Sequence, residues 1–315
     1  REDFGTNPCS EIILRSREFC NLSECVVRRE DTRESLKEKV RTAAILGTFQ
    51  STLTEFKYLS REWKKNCDEE RLLGVSLTGI MDNPLTNGSK KGLDKLLEEL
   101  RDIAYETNKE WSEKLGIPTS AAITCVKPSG TVSQLVDSAS GIHARHNPHY
   151  IRTVRADNKD PLCKLMKNMG FPNEVDITKP EHTTVFSFPQ KSPKGATCRN
   201  DMTALEQLEL WKVYAESWCE HKPSVTISVK EDEWVEVAAW VYDHFDSISG
   251  ISFLPFSEHV YRQAPYQDCT EEEYKEALKT MPKNVDWAEL SKYESQDYTI
   301  ASQELACTAG GCEII

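Results

Sequence analysis

Residues 121–140 read AAITCVKPSGTVSQLVDSAS, and the reading of this stretch decides the fold. The apolar run AAITCV has the length and β-branched content of a short buried strand. Pro128 stops it, because proline has no N–H to donate to a ladder. Ser129 and Gly130 form a tight turn, and Thr131 to Leu135 can open a helix. A strand running through a serine–glycine turn into a helix is the elementary unit of an α/β protein.

The flanking sequence repeats that alternation. SLKEKVRTAAILGTFQ, from Ser35, has helical character, and RLLGVSLTGI (71–80) reads as a buried strand. In GLDKLLEELRDIAYETNKEWSEKLG, Leu93, Leu96, Leu97, Leu100 and Ile103 share one helical face, and Gly116 is a natural C-terminal stop. TALEQLELWKVYAESWCEH and TEEEYKEAL both open with a capping box, Thr203 with Glu206 and Thr270 with Glu273. HYIRTVR, TTVFSF, PSVTISV and GISFLPF read as strands, and EDEWVEVAAWVYDHF as a helix. Strands alternating with helices predict an α/β architecture with largely parallel strands. No linker or internal repeat marks a boundary within 1–298, and 299–315 reads as a flexible tail.

The 315 residues, 38% hydrophobic and 29% charged, describe a folded chain rather than a disordered one. A net charge of −12 argues against broad nucleic-acid binding, which needs a basic surface. It leaves nucleotide ligands open, because backbone N–H groups can hold phosphate. No apolar run reaches the roughly 20 residues of a membrane helix, and no signal peptide is visible, so a cytoplasmic protein without membrane partners is expected. The first residue is Arg1 rather than Met, so a processed product or a fragment is expected. Eleven cysteines in a chain of this size point to buried, metal-binding or catalytic thiols rather than structural disulfides.

Three segments carry chemistry. In NPCSE, Asn7, Cys9 and Glu11 alternate, so an extended backbone would point an amide, a thiol and a carboxyl group together. The competing reading is a loop cysteine beside a helix-capping asparagine. CNLSEC (20–25) and the terminal CTAGGC (307–312) form two C-x4-C pairs, open either to thiol–disulfide exchange or to one zinc ion. In KPSGTVSQ the hydroxyls and free N–H groups of Ser129, Gly130, Thr131, Val132 and Ser133 suit a phosphate, although no Walker motif is present; the competing reading is an ordinary serine-capped turn. GIHARHNPHYIRTVR spaces His143, His146 and His149 three apart, but Pro148 breaks any common helix face. With Arg145, Arg152 and Arg155 it reads as one wall of a polar pocket rather than a metal site.

Taken in order, NPCSE, CNLSEC, KPSGTVSQL, GIHARHNPHYIRTVR, SVTISV, ISFLPF with YRQAPYQ, and CTAGGC resemble the class II, adenosylcobalamin-dependent ribonucleotide reductases, most closely the monomeric ribonucleoside-triphosphate type. The resemblance runs from Asn7 to Cys312. It implies the C-terminal half of a ten-stranded α/β barrel, with the catalytic finger loop at its start. It implies Cys9 as a thiyl radical that takes the 3′ hydrogen of a ribose, Glu11 as base on the 3′ hydroxyl, and Asn7 as a ligand of the sugar hydroxyls. Cys20 becomes one member of the reducing pair, Cys307 and Cys312 the tail dithiol that restores it, and Ser129 to Ser133 the phosphate loop. The implied cofactor is adenosylcobalamin, with no residue assigned to the corrin. The implied partners are a ribonucleoside triphosphate, a thioredoxin-like reductant and a complementary N-terminal half holding the partner of Cys20. Two other readings stand beside it: the catalytic part of a class I reductase acting on diphosphates, disfavoured by the absence of a Tyr-Tyr pair, and a zinc-stabilised nucleotide-binding module.

Overall fold

The computed structural model describes residues 4–256 and 261–294. In chain order the elements begin with β1 (Phe4–Thr6), β2 (Ile13–Arg15), β3 (Asn21–Val26), α1 (Arg33–Gln50), α2 (Arg61–Glu70), β4 (Leu73–Thr78), α3 (Leu93–Leu115), β5 (Thr124–Cys125) and α4 (Val132–Leu135). They continue with β6 (His149–Asp157), α5 (Pro161–Asn168), β7 (Asn173–Val175), β8 (Thr183–Lys191), α6 (Ala204–Ser217), β9 (Val225–Val229) and α7 (Trp234–Asp243). The last are β10 (Ile251–Pro255), β11 (Tyr266–Asp268) and α8 (Glu271–Thr280). The chain divides into two compact units, Arg1–Arg145 with Gly195–Phe256, and His146–Lys194 with Ser257–Ile315.

The first unit is the α/β body. β3, β4 and β5 are parallel neighbours, and β9 and β10 form a second parallel pair. A parallel bridge between Val126 and Pro223 joins the two sets, so the strand order is β3-β4-β5-β9-β10. Every residue of β4 is buried, which is why it reads as a continuous apolar run rather than an alternating one. Helices α1, α3 and α6 pack over this sheet, and one core joins Val40, Leu73, Leu77, Leu97, Trp211 and Trp218. Burying an aromatic or aliphatic side chain of this size stabilises by about 1.5–3 kcal/mol each.

Local sequence explains the helix ends. Thr32 caps α1 in a capping box with Ser35, so α1 begins at Arg33, two residues before the apolar pattern suggests. The boxes at Thr203 and Thr270 form as expected. Gly116 closes α3 with φ 67°, a left-handed conformation open to glycine at little cost.

The second unit departs from the expected parallel arrangement. Its sheet, in the order β11-β6-β8-β7, is antiparallel throughout, with β6 and β8 paired over nine residues from His149↔Lys191 to Asp157↔Thr183. The helix between these strands, α5, spans only Pro161–Asn168 and is followed by a third strand, β7, on the same sheet. The proposed tail, 299–315 with Cys307 and Cys312, lies outside the described residues. Among the described residues no helix is long and apolar enough to cross a membrane.

Candidate active site

β1 and β2 form a short antiparallel hairpin, and Asn7 to Ile12 make its connecting loop. This loop is a turn, not the extended stretch expected from NPCSE. Pro8 fixes its own φ, Ser10 takes a left-handed φ of 61°, and Ser10 N–H donates to Asn7 O at 2.9 Å. Asn7 and Glu11 therefore meet by folding back rather than by alternation. Asn7 Nδ2 donates to Glu11 Oε1 at 2.6 Å, while Asn7 Oδ1 accepts from Ile12 N–H at 3.0 Å. Cys9 stands between them, half-buried.

Glu11 is fully buried, and the structure supplies a cation the sequence reading missed. Lys127 Nζ donates to the same Oε1 at 2.7 Å, whereas Oε2, equally buried, has no hydrogen-bond partner among the described residues. Burial works against the Lys127 ammonium, and the Glu11 carboxylate outweighs it, so the Lys127 pKa is raised. The backbone of Glu11 is held separately, its carbonyl accepting from Lys222 N–H at 3.0 Å. Lys127 carried no sequence signal beyond its place at the end of a strand and directly before Pro128.

Cys20 sits at the entrance to β3. A Cβ on Gly74 would lie 2.4 Å from Leu22 Cδ2, 3.2 Å from the Cys20 sulfur and 3.4 Å from that of Cys125, so the bare glycine makes room for Leu22 with both thiols beside it. Burial pushes the Cys20 thiol well up, and the neighbouring Cys125 and Glu11 add to it. β3 and β5 are separated by β4, about 9.6 Å apart across two strand spacings. A disulfide needs Cα atoms within about 7 Å, so Cys125 is not placed to pair with Cys20.

The same strand removes half of the zinc arrangement. Cys20 and Cys25 are five residues apart on an extended backbone, hence on opposite faces and about 17 Å apart. Cys25 turns inward, where its Sγ donates to Lys39 O at 3.6 Å and burial pushes its thiol up to about 12. Among the described residues no group of three or more His, Cys, Asp or Glu could hold a metal ion.

The strand–turn–helix at 121–135 forms as read, with Val126 and Lys127 leading into a turn where Gly130 has φ 56°. Ser129 N–H donates to Ser140 Oγ at 3.1 Å and Ser129 Oγ to Glu24 Oε1 at 2.9 Å, while buried Ser133 Oγ donates to Gly130 O at 2.7 Å. Gly130, Thr131 and Val132 are exposed, and the N–H groups of Gly130 and Thr131 have no protein acceptor among the described residues. Those two donors are the loop's capacity for an anion. Burial raises the Glu24 carboxyl, and Ser129 offsets part of that.

Behind the loop, Arg145 is structural rather than a pocket wall. Its Nε and Nη2 donate to Asp82 Oδ1 and Oδ2, both at 2.8 Å, and Asp82 Oδ2 also accepts from Ala139 N–H at 2.9 Å. His143 is likewise built in, its Nδ1 against Ser140 O and its Nε2 accepting from Thr226 N–H. Arg152, Arg155, His146 and His149 belong to the second unit, where Arg155 binds buried Asp176 at 2.7 Å.

Comparison with known proteins adds the family. No family model matches the chain. It is 30% identical over 283 residues to an adenosylcobalamin-dependent ribonucleoside-triphosphate reductase of Euglena gracilis, covering 89% of this chain and 38% of that one. It is 27% identical over 341 residues to the reductase of the same description from Lactobacillus gasseri, covering 98% of this chain and 45% of the relative. A crystal structure of a B12-dependent, class II ribonucleotide reductase superposes with a TM-score of 0.78 at 26% identity, over 94% of this chain and 44% of that one. The chain spans less than half the length of each. Over nearly all of its residues the chain is similar in sequence and in fold to one part of the class II, adenosylcobalamin-dependent ribonucleotide reductases.

Proposed function

We propose that this chain is the part of an adenosylcobalamin-dependent ribonucleoside-triphosphate reductase that holds the reacting sugar. The observation that carries the reading is Glu11: a buried carboxylate with one oxygen doubly hydrogen-bonded and the other unpartnered, two residues from Cys9 and on the loop that also holds Asn7. A carboxylate fixed by one oxygen presents the other as a base to a bound hydroxyl. In this role Cys9, as a thiyl, takes the 3′ hydrogen, and Glu11 Oε2 takes the proton of the 3′ hydroxyl. The Asn7 amide keeps a second hydrogen for a sugar hydroxyl, since its first is on Glu11. As the 2′ hydroxyl leaves as water, Cys20 and a thiol outside this chain supply two electrons and close a disulfide. The burial that holds Cys20 protonated suits a hydrogen donor better than a resting thiolate.

The exposed N–H groups of Gly130 and Thr131, with Ser129 and Ser133 shaping their turn, hold the substrate phosphates. The five-strand order β3-β4-β5-β9-β10 supports the reading of this unit as one half of a ten-stranded barrel, with the Asn7–Ile12 loop as its catalytic finger. The half-buried Cys9, on a turn beside an orphaned carboxylate oxygen, fits a centre that receives a radical. Adenosylcobalamin, when bound, supplies that radical chemistry. Thioredoxin-driven turnover through Cys307 and Cys312, in the cytoplasm, completes the proposal.

The test combines this chain with a complementary N-terminal polypeptide and adenosylcobalamin, and measures deoxyribonucleotide formation. Activity is expected in the combination, and Cys9→Ala should abolish it while nucleotide binding is retained. Turnover that survives Cys9→Ala defeats the thiyl assignment.

A further inference from the structure

We propose that Lys127 is the positioning residue that decides which oxygen of Glu11 is the base, an inference that rests on the reading of Glu11 given above. The geometry is one-sided. Lys127 Nζ and Asn7 Nδ2 both donate to Oε1, at 2.7 and 2.6 Å, and neither reaches Oε2. Two donors on one oxygen withdraw it from proton transfer and leave the other as the basic edge. Asn7 alone cannot do this in a fully buried site, because a neutral amide does not balance a carboxylate charge removed from water. Lys127 is the cation in that contact, and its Nζ forms the salt bridge to a Glu11 side chain with no exposure.

The root of the Lys127 side chain is fixed as well as its tip. Its N–H donates to Ser76 Oγ on β4 at 2.9 Å. Its carbonyl lies 2.7 Å from where a Cβ on Gly141 would stand, and Gly141 has φ +54°, so only a glycine there lets the 139–141 segment close over it. Pro128 follows at once, and Ser129 begins the anion loop. One residue thus stands between the base and the phosphate turn. The other titratable groups whose charge reaches Glu11 include the Cys20 and Cys125 thiols and His221, while Cys9 reaches Lys127. The two thiols are held protonated and His221, its Nε2 against Leu73 O, is held neutral by burial, so none of them substitutes for the ammonium.

The test reads the contact without requiring turnover. In the full chain with 13C-labelled glutamate side chains, the Glu11 carboxyl signal is assigned by its loss in Glu11→Gln and titrated. Lys127→Met, which keeps the length and removes the charge, is expected to raise the Glu11 midpoint by at least one pH unit, a tenfold change in its ionisation constant. Lys127→Arg should hold it within that unit. A rise of less than one unit in Lys127→Met, or an equal rise in Lys127→Arg, overturns the proposal. If Lys127→Met does not fold, as judged by tryptophan fluorescence, the reciprocal experiment decides. The Lys127 Nζ signal in Glu11→Gln should titrate at least one unit below the wild type, and an unchanged midpoint overturns the proposal. A wild-type chain that titrates as expected but gains no reductase activity with its N-terminal complement would refute the functional reading and leave this contact standing.

Discussion

Replacing Asp82 by alanine tests how the turn at Ser129–Ser133 is braced. Asp82 and Arg145 are 2% and 5% exposed, and both carboxylate oxygens are used: Oδ1 by Arg145 Nε, Oδ2 by Arg145 Nη2 and Ala139 N–H. Removing one partner of a buried, hydrogen-bonded pair costs about 3–5 kcal/mol, because the other charge stays buried without its counter-ion. Asp137 cannot make this good. It contacts Arg145 Nη1 at 3.0 Å, but its side chain is 70% exposed, and such a contact is worth about 0–1 kcal/mol. At about 2–4 °C per kcal/mol for a domain of this size, the melting midpoint should fall by about 6–20 °C. A thermal melt reads that shift, and urea unfolding followed by the fluorescence of Trp211 and Trp218, fully buried in the same unit, measures the free-energy loss. The double variant Asp82→Leu with Arg145→Met removes both charges and should recover most of the loss, since apolar replacement of a buried pair is often nearly neutral. A loss under about 1 kcal/mol in Asp82→Ala, or a double variant no better than the single one, would refute the reasoning. The brace matters for the site because Ala139 leads to Ser140, whose Oγ takes the N–H of Ser129.

Two further outcomes are expected. Glu24 has a raised carboxyl pKa from burial, so its folded form binds its proton more tightly than its unfolded form. Its stabilising contribution is present below the ordinary carboxylate range near 4.3 and is lost as pH rises through the raised folded value. Glu24→Gln should therefore gain stability relative to wild type as pH rises above the ordinary carboxylate range near 4.3, seen in paired urea midpoints; a difference that stays flat across that rise counts against it. Cys307→Ser should block thioredoxin-driven turnover in the complemented enzyme but spare turnover with a small dithiol, and equal loss with both reductants argues against a shuttle.

What was legible in the sequence depended on whether the signal was local. The capping boxes at Thr203 and Thr270, the stop at Gly116 and the apolar run of β4 are written in neighbouring residues, and each forms where it was read. The antiparallel sheet of the second unit was not legible, because β6 pairs with β11 more than a hundred residues away, and no short-range pattern encodes that partner. In the site, the grouping of Asn7 with Glu11 was anticipated but for the wrong geometric reason, since the turn at Ser10 replaces an extended strand. Lys127 escaped notice because a lysine before a proline has no motif of its own, and only the parallel bridge beside it brings it to Glu11. Arg145 was read as a pocket wall, and its pairing with Asp82 was not legible, because the two stand sixty-three residues apart and are joined only by folding.

The bridge between Val126 and Pro223 has a mechanical meaning. Pro223 has no N–H, so this seam rests on His221 N–H to Thr124 O at 3.0 Å, Val126 N–H to Lys222 O at 3.4 Å and Ser224 N–H to Val126 O at 2.9 Å. Two indoles act as rivets there, Trp218 on Cys125 O at 2.7 Å and Trp211 on Pro223 O at 2.9 Å. Glu11 straddles the joint: its carbonyl is pinned to Lys222 on one flank, its carboxylate to Lys127 on the other. Any widening of the seam would pull on that residue from both sides, so the alignment of the Glu11 carboxylate and the closure of the sheet are coupled.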